Sequence, residues 1–266
     1  MKRGWIIYDR SGAARNQWFI KECLLNAERC GMCLSLKIVG GEPITEFPDF
    51  ALVRTINPLL SQDLDRAGVR LFNNAQVSVL ANDKWETYVQ AKRLGLKVMP
   101  TELSAYAQNA SPFSYPVVVK SRDGHGGEEV YRMETAEEYR AFFRANDPNR
   151  YITQKLCSEV GKDLRVYVLG GEILAGVLRT SAVDFRSNYS LGGEVQLVPV
   201  PDEIQKTVKK LHEEYAFDFV GVDFIRDGSE WVLNEIEDVV GSRMLYKTAN
   251  LDVARLYISH IASKIR

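Results

Sequence analysis

The sequence predicts a protein of mixed α/β and α+β class, with a small parallel α/β domain at its amino terminus. In residues 1–75, short apolar runs alternate with segments of helical spacing, an order typical of a parallel sheet. After residue 150, apolar runs follow one another across glycine turns, which predicts antiparallel hairpins. We expect three domains, spanning residues 1–75, 76–150 and 151–266.

The amino-terminal domain is expected to contain four strands and two helices. Strands are predicted over residues 5–8, 34–39, 51–54 and 69–72, and helices over 15–31 and 58–67. Residues 9–12 follow the first strand and are expected to form a polar loop. Because such loops line the crevices of open α/β sheets, this segment is a candidate substrate contact.

The second domain begins with a predicted helix over residues 82–94, capped by Asn82 or Asp83. Lys84 lies in its first turn, where the helix dipole opposes a cation, so the placement indicates an anionic partner. The bland alternative is an exposed surface lysine.

A glycine-rich loop follows the next strand. Residues 115–120 form a β-branched strand that ends in Lys120, and Gly124, Gly126 and Gly127 follow within a few residues. Backbone N–H groups in such a loop can approach phosphates closely, and a lysine beside it can neutralise them. The alternative is an ordinary hairpin tip. A strand over 129–133 and a helix over 135–144, capped by Thr135, come next.

The third domain is predicted to open with a strand over 150–156 and a hairpin over 163–179 around Gly170-Gly171. A polar loop over 184–193 and an amphipathic helix over 202–215 precede a second hairpin, and a helix over 251–265 ends the chain.

Acidic residues interrupt the second hairpin, whose strands are predicted over residues 219–225 and 230–237. Asp223, Glu235 and Glu237 are costly to bury unless something positive meets them, and converging carboxylates can bind Mg²⁺. Because side chains alternate along a strand, Asp223 shares a face with Glu235 and Glu237 only if the connection between the two strands has an odd number of residues. We therefore expect a three-residue loop with a glycine bulge. The alternative places these acids at strand ends in water.

Charge and composition argue against several classes of protein. The chain is 45% hydrophobic and 26% charged, as in globular proteins, and its net charge of −1 gives no support for nucleic-acid binding. The apolar run at residues 5–8 is too short for a signal peptide or a membrane span, so we expect a cytoplasmic protein. The four cysteines, including the Cys30/Cys33 pair, are expected to be buried or idle thiols.

The order of these motifs resembles the ATP-grasp ligases, most closely their RimK-like branch, over roughly residues 75–250. The most specific match is the run Asp184-Phe185-Arg186-Ser187-Asn188 followed by Gly192-Gly193. The resemblance implies an ATP-grasp fold, in which two α+β subdomains clasp ATP, behind the amino-terminal domain. It also implies a dimer or tetramer.

The resemblance implies roles for the matching positions. The nucleotide would be bound by Lys84, Lys120, Gly124, Gly126, Gly127, Gln154, Lys155, Leu156, Asp163, Arg186, Ser187, Asn188 and Leu233. The metal ligands would be Asp223, Glu235 and Glu237, with Mg²⁺ as the ion and Mn²⁺ as its alternative. Arg179 and Arg186 would stabilise the transition state that leads to an acyl phosphate.

Three positions depart from the family pattern. Glu237 stands where asparagine is more common, Lys155 replaces a usual glutamate, and Val239-Val240-Gly241 replaces a Ser-Pro-Gly segment of the acceptor site. The substrates are therefore less well determined than the nucleotide.

The resemblance predicts an ATP-dependent carboxylate–amine ligase that acts through an acyl phosphate. It would add a glutamate-like amino acid to a peptide or small-molecule carboxylate, or modify a ribosomal peptide. The alternative is a non-catalytic ATP-binding module of the same fold.

Overall fold

The computed structural model describes residues 1–40, 45–107, 109–126, 129–181 and 194–265. Its strands form three sheets, one of four parallel strands and two that are antiparallel. Across these ranges, every helix is too short or too polar to cross a membrane. The four cysteines are free thiols, of which Cys23 is buried and Cys30 and Cys33 are exposed.

The first sheet confirms the predicted parallel arrangement. It consists of β1 (Arg3–Tyr8), β2 (Cys33–Ile38), β3 (Phe50–Val53) and β4 (Arg70–Phe72), in the order β2-β1-β3-β4. The helices of this part are α1 (Arg10–Arg15), α2 (Gln17–Arg29) and α3 (Pro58–Arg66). Fully buried side chains such as Ile6, Phe50 and Leu52 form its core.

The prediction of a polar loop after β1 is wrong, because the helix α1 begins there. The Asp9 carboxylate accepts a hydrogen bond from Gly12 N at 2.8 Å, which caps α1 and satisfies a free amide of its first turn. The helix predicted over 15–31 appears as α2, and Asn16, whose side-chain amide donates to Gly12 O at 2.8 Å, separates it from α1.

Two helices, rather than one, connect the first sheet to the second. They are α4 (Ala75–Ala81), which the sequence pattern did not predict, and α5 (Lys84–Arg93). Asp83 is confirmed as the cap of α5, since its carboxylate accepts from Trp85 N at 2.9 Å. Both helices pack against the apolar face of the third sheet.

The second sheet is antiparallel and carries the glycine-rich loop. It consists of β5 (Thr101–Leu103), β6 (Val117–Ser121), β7 (Val130–Met133) and β8 (Tyr151–Lys155), in the order β5-β8-β6-β7. The helix α6 (Ala136–Ala145) follows β7, and Thr135 Oγ1 caps it by accepting from Glu138 N at 3.2 Å.

The third sheet contains both predicted hairpins. It consists of β9 (Glu159–Leu169), β10 (Glu172–Thr180), β11 (Glu194–Val198), β12 (Phe219–Asp227) and β13 (Glu230–Glu237), in the order β11-β10-β9-β12-β13. Gly170 and Gly171 turn the first hairpin with φ of +59° and +91°, a region that favours glycine. Two apolar clusters involve this sheet. The helix α7 (Asp202–Tyr215) packs in one of them, and the helix α8 (Val253–Lys264) packs in the other.

The predicted domain boundaries at residues 75 and 150 stay a prediction. The three sheets follow one another along the chain in the predicted order. The predicted strand over 150–156 appears as β8, and it pairs within the second sheet.

Candidate active site

Three carboxylates converge on one face of the hairpin formed by β12 and β13. Ligand oxygens of Asp223, Glu235 and Glu237 lie within 4.8 Å of one another. Asp223 is fully buried, and the two glutamates are partly buried. Asp223 pairs with Glu235 across the strands, and Gly221 pairs with Glu237, so all three side chains share a face.

The three-residue loop predicted for this hairpin is wrong, but its predicted consequence is correct. The loop has two residues, Gly228 and Ser229, with Gly228 at φ +61°. The extra residue is Asn234 in β13, because the register changes between the pairs Asp223–Glu235 and Phe224–Leu233. A bulge in the strand therefore restores the side-chain parity that the short loop removes.

Two buried arginines tie these carboxylates together. Arg165 on β9 donates to both Asp223 oxygens, at 2.7 and 2.6 Å, and to Glu237 Oε1 at 2.5 Å. Arg179 on β10 donates to Asp223 Oδ2 at 2.7 Å and to both oxygens of Asp163 at 2.5 Å. Buried charges are stable only when they are paired in this way.

Burial and the arginine contacts oppose each other at both acids, and the balance shifts their pKa values in opposite directions. Burial alone raises the pKa of Asp223, but Arg165 and Arg179 outweigh it and hold that pKa below its ordinary value. Burial raises the pKa of Glu237 to about 7, against the opposing influence of Arg165.

The carboxylate set fits a hard divalent cation such as Mg²⁺, which prefers oxygen ligands. Asp223 Oδ2 already accepts two hydrogen bonds, whereas Oδ1 accepts one and keeps a lone pair for a metal. The residues that would hold the ion are Asp223, Glu235 and Glu237.

Two lysines face this acidic cluster from the first turn of α5 and from β6. Lys84 Nζ donates to Gly124 O and lies 4.0 Å from Glu235 Oε2. Lys120 Nζ donates to Asn234 Oδ1 at 2.9 Å. Burial lowers the pKa of Lys120 to about 8, with Glu235 opposing the shift and Lys84 adding to it.

A cavity between the second and third sheets brings most of the predicted residues together. The predicted site residues that line this cavity are Lys84, Lys120, Gly124, Gly126, Gln154, Lys155, Leu156, Asp163 and Glu235. Leu233 is buried and lines a smaller adjoining cavity with Lys84, Lys120 and Gln154. The Asp163 carboxylate lies at the cavity wall but is already bound by Arg179. Its contact with a ribose stays a prediction.

Four predicted residues, Gly127, Arg186, Ser187 and Asn188, lie outside the residues that the structure describes. Arg179 is described, and its guanidinium is buried in the carboxylate network.

Two residues of the site, Arg165 and Asn234, have no role in the sequence-based prediction. Arg165 is a charged residue within an apolar strand, which is the same signal that singled out Asp223. Asn234 is a polar residue between Leu233 and the acids, and that irregularity in the alternation indicates a bulge.

A model of the RimK-like ATP-grasp domain matches residues 74–261, which is more than half of the chain. The chain belongs to the RimK-like ATP-grasp family. The resemblance found in the sequence is therefore confirmed, and the chain is a member of a family of ATP-grasp ligases.

Relatives of this ATP-grasp chain include proteins of Mycoplasma and of animals. It is 36% identical over 196 residues to an uncharacterized protein of Mycoplasma pneumoniae, covering 71% of this chain and 66% of that protein. It is 30% identical to an uncharacterized protein of Mycoplasma genitalium over 280 residues, covering 100% and 94%. Human N-acetylaspartylglutamate synthase A is 29% identical over 259 residues, with coverages of 86% and 66%. The chain thus spans slightly less than two thirds of the M. pneumoniae and human relatives.

Solved structures confirm the ATP-grasp fold. D-cycloserine synthetase DcsG superposes with a TM-score of 0.75 at 13% identity, covering 99% of this chain and 100% of that one. A RimK domain protein of Sphaerobacter thermophilus has a TM-score of 0.75 at 17% identity, covering 97% and 99%. The ATP-grasp ligase PsnB, solved with Mg and ADP, has a TM-score of 0.69 at 11% identity, covering 100% and 99%.

Proposed function

We propose that this chain is an ATP-dependent ligase that joins a carboxylate to an amine through an acyl phosphate. The observation that carries the proposal is a cavity whose lining brings together two lysines, a glycine loop and Glu235, one of the three clustered carboxylates. Lysine ammonium groups neutralise phosphates as point charges, and the carboxylates suit the metal ion that accompanies them.

A second cavity could bind the substrate carboxylate that receives the phosphoryl group. It is lined by Arg165, Arg179 and Glu237, and it shares Gly126 of the glycine loop with the nucleotide cavity. The carboxylate network therefore has a nucleotide cavity on one side and a cationic cavity on the other. A carboxylate substrate in the second cavity would approach the γ-phosphoryl group at the acidic cluster.

The proposed reaction has two steps. In the first, a substrate carboxylate oxygen attacks the γ-phosphorus of ATP, a new P–O bond forms, and the bond to ADP breaks. In the second, an amine nitrogen attacks the acyl carbon, the C–O bond to phosphate breaks, and the nitrogen loses a proton. ATP is needed because oxide is a poor leaving group, whereas phosphate is a good one.

The protein contributes positioning and charge stabilisation to both steps. Lys84 and Lys120 would bind phosphate oxygens, and Arg179 would stabilise charge that develops on the transferred group. A bound Mg²⁺ would offset negative charge on the phosphate oxygens. The glycine loop that contains Gly124 and Gly126 would keep water from the acyl phosphate.

The relatives suggest the substrate class. Their names include N-acetylaspartylglutamate synthase A, β-citrylglutamate synthase B and a glutamate–LysW ligase. Solved PsnB structures contain a precursor peptide. We propose a glutamate-like amino acid as the amine and a peptide or small-molecule carboxylate as its partner, with Mg²⁺ or Mn²⁺ as the metal.

An ADP-release screen over amino acids, paired with carboxylates and peptides, tests this function. We expect one pair to release ADP and phosphate and to yield a product whose mass equals that of the pair minus one water. A non-catalytic ATP-binding module would bind AMPPNP but release no ADP with any pair. That result would overturn the proposal.

A further inference from the structure

Arg54 is a buried cation without a carboxylate partner among the described residues. It follows β3, is 7% exposed, and lines the second cavity. Its Nη2 donates to Val240 O at 2.7 Å, and Nε has no hydrogen-bond acceptor in the part of the chain that the structure describes. Leaving a buried guanidinium without an anion is costly.

Within the described ranges, the groups near Arg54 do not neutralise its charge. Its guanidinium lies 5.7 Å from the centre of the Phe19 ring, which attracts a cation but carries no net charge. The positive charge of Arg54 partly offsets the burial that raises the pKa of Asp238. The Asp238 carboxylate, however, accepts a hydrogen bond from Asn82 Nδ2, at 3.0 Å. The other two buried arginines of the cavity lining are different, because acids pair with Arg165 and Arg179.

The whole cavity carries more positive than negative charge in its described lining. It presents five guanidinium groups, those of Arg15, Arg54, Arg165, Arg179 and Arg243, and Glu237 is its one acidic lining residue there. With Asp163 and Asp223 behind Arg165 and Arg179, three carboxylates face five arginines. Arg165 and Arg179 bind all three of these carboxylates. The other three guanidinium groups are that of Arg54, inside the cavity, and those of Arg15 and Arg243, which are exposed.

The apolar residues of the cavity lining indicate which kind of anion the cavity can bind. Phe19, Trp18, Met244 and Tyr246 supply apolar surface, and the rings of Trp18 and Tyr246 meet edge to face with their centres 4.7 Å apart. This combination suits a carboxylate on a hydrocarbon chain better than a bare inorganic ion.

We infer that Arg54 binds a second carboxylate of the substrate, one that is not phosphorylated. The inference rests on the proposed ligase function and deepens it, because it makes one substrate a dicarboxylate or a longer polyanion. Arg54 is thus a specificity-determining residue contributed by the amino-terminal part of the chain. A guanidinium can hold a carboxylate with two hydrogen bonds, which a neutral amide cannot match.

Binding of matched pairs to the AMPPNP–Mg complex tests the inference by calorimetry. The pairs are L-glutamate with L-glutamine, and glutarate with its monoamide, so they separate an amino-acid source of the carboxylate from a simple acid. In the wild-type protein, we expect the dicarboxylate of at least one pair to bind about tenfold more tightly than its amide. The Arg54→Met variant should reduce this preference to about twofold or less.

Two further variants control for fold and charge. Arg66→Met removes the same charge from an exposed pair with Asp63 and should keep the wild-type preference. Arg54→Lys keeps the charge without the fork of donors, should show an intermediate preference, and replaces Arg54→Met if that variant does not fold. The inference is overturned if no wild-type pair shows a preference, or if the Arg54 variant keeps it.

Failure of the proposed ligase function would look different. In that case, AMPPNP–Mg would not bind the wild-type protein, or no pair of substrates would release ADP. A dicarboxylate preference that depends on Arg54 can be measured in either event, since the same titrations can be made without nucleotide.

Discussion

At the scale of single residues, Asp223 is the centre of the site. It is fully buried and accepts three hydrogen bonds from Arg165 and Arg179. These contacts hold its pKa low, so it stays ionised despite its burial. The same carboxylate therefore serves a structural network and a candidate metal site.

Replacing Asp223 by asparagine tests both roles. We expect Asp223→Asn to reduce ATP turnover by about 100-fold or more, because a metal ligand and a buried negative charge are lost together. The free energy of unfolding should fall by about 3 kcal/mol, since Arg165 and Arg179 lose a charged partner. ADP release and urea unfolding measure the two effects.

The exposed Asp63 provides the control, because Asp63→Asn removes the same charge from a surface pair. It should change neither quantity appreciably. If folded Asp223→Asn kept most of its turnover, Asp223 would not be a metal ligand of the reaction.

We expect Lys120 to make nucleotide binding depend on pH. Burial lowers its pKa to about 8, so the free protein loses this positive charge as pH rises through that value. A bound triphosphate favours the ammonium form and raises its pKa. AMPPNP affinity should therefore fall by up to about tenfold per pH unit above pH 8, until the raised pKa is passed.

Titrations from about pH 6.5 to about pH 9.5 measure this slope. Lys120→Met should bind more weakly throughout and lose the slope. Lys209→Met on the exposed face of α7 should keep it. An unchanged slope in Lys120→Met would assign the titration to another group.

At the scale of elements, close packing around β12 positions the site. Gly221 lies opposite Glu237, and a Cβ atom at this glycine would come 2.7 Å from Val240 Cγ2. Only the absence of a side chain lets the segment after β13 pack here, with Arg165 on the neighbouring strand.

The variant Gly221→Ala should therefore overpack this contact. We expect the free energy of unfolding to fall by about 1–3 kcal/mol, measured by urea denaturation. Gly241→Ala is the matched control, since a Cβ atom there meets nothing within 4 Å, and it should change stability by about 0.5 kcal/mol or less. Equal stability of the two variants would show that the Val240 segment moves freely.

At the scale of the whole molecule, Asn73 joins the first sheet to the third. Its side-chain oxygen accepts from the backbone N–H groups of Asp218 and Phe219, at 2.8 and 2.9 Å. Its side-chain nitrogen donates to the carbonyl oxygens of Phe219 and Asp238, at 2.8 and 3.1 Å. One buried amide thus satisfies four backbone groups around β12 and β13.

Truncation at this position should weaken the whole protein. We expect Asn73→Ala to reduce the free energy of unfolding by about 3 kcal/mol, because several buried backbone groups lose their partners. Asn149→Ala, which removes an exposed contact with Asp147, should have little effect. A loss below about 1 kcal/mol would mean that water replaces the Asn73 amide.

The relation between sequence and structure also differs with scale. Local signals predicted the caps at Asp83 and Thr135, the turn at Gly170-Gly171 and the parallel arrangement of the first sheet, because these depend on neighbours in the chain or on simple periodicity. The helices α1 and α4 were missed, since the hydrogen bond of the Asp9 side chain caps the first and packing on the third sheet stabilises the second.

The sequence by itself determined the family, the acidic hairpin and the lysines that face it, because these are carried by residue types in a fixed order. The tertiary structure alone decided how the three carboxylates come to share a face, with a bulge at Asn234 in place of a longer loop. It also paired Arg165 and Arg179 with acids and left Arg54 without one among the residues that the structure describes. The physical reason is that charge pairing depends on distances between strands far apart in the chain, and no local pattern encodes those distances.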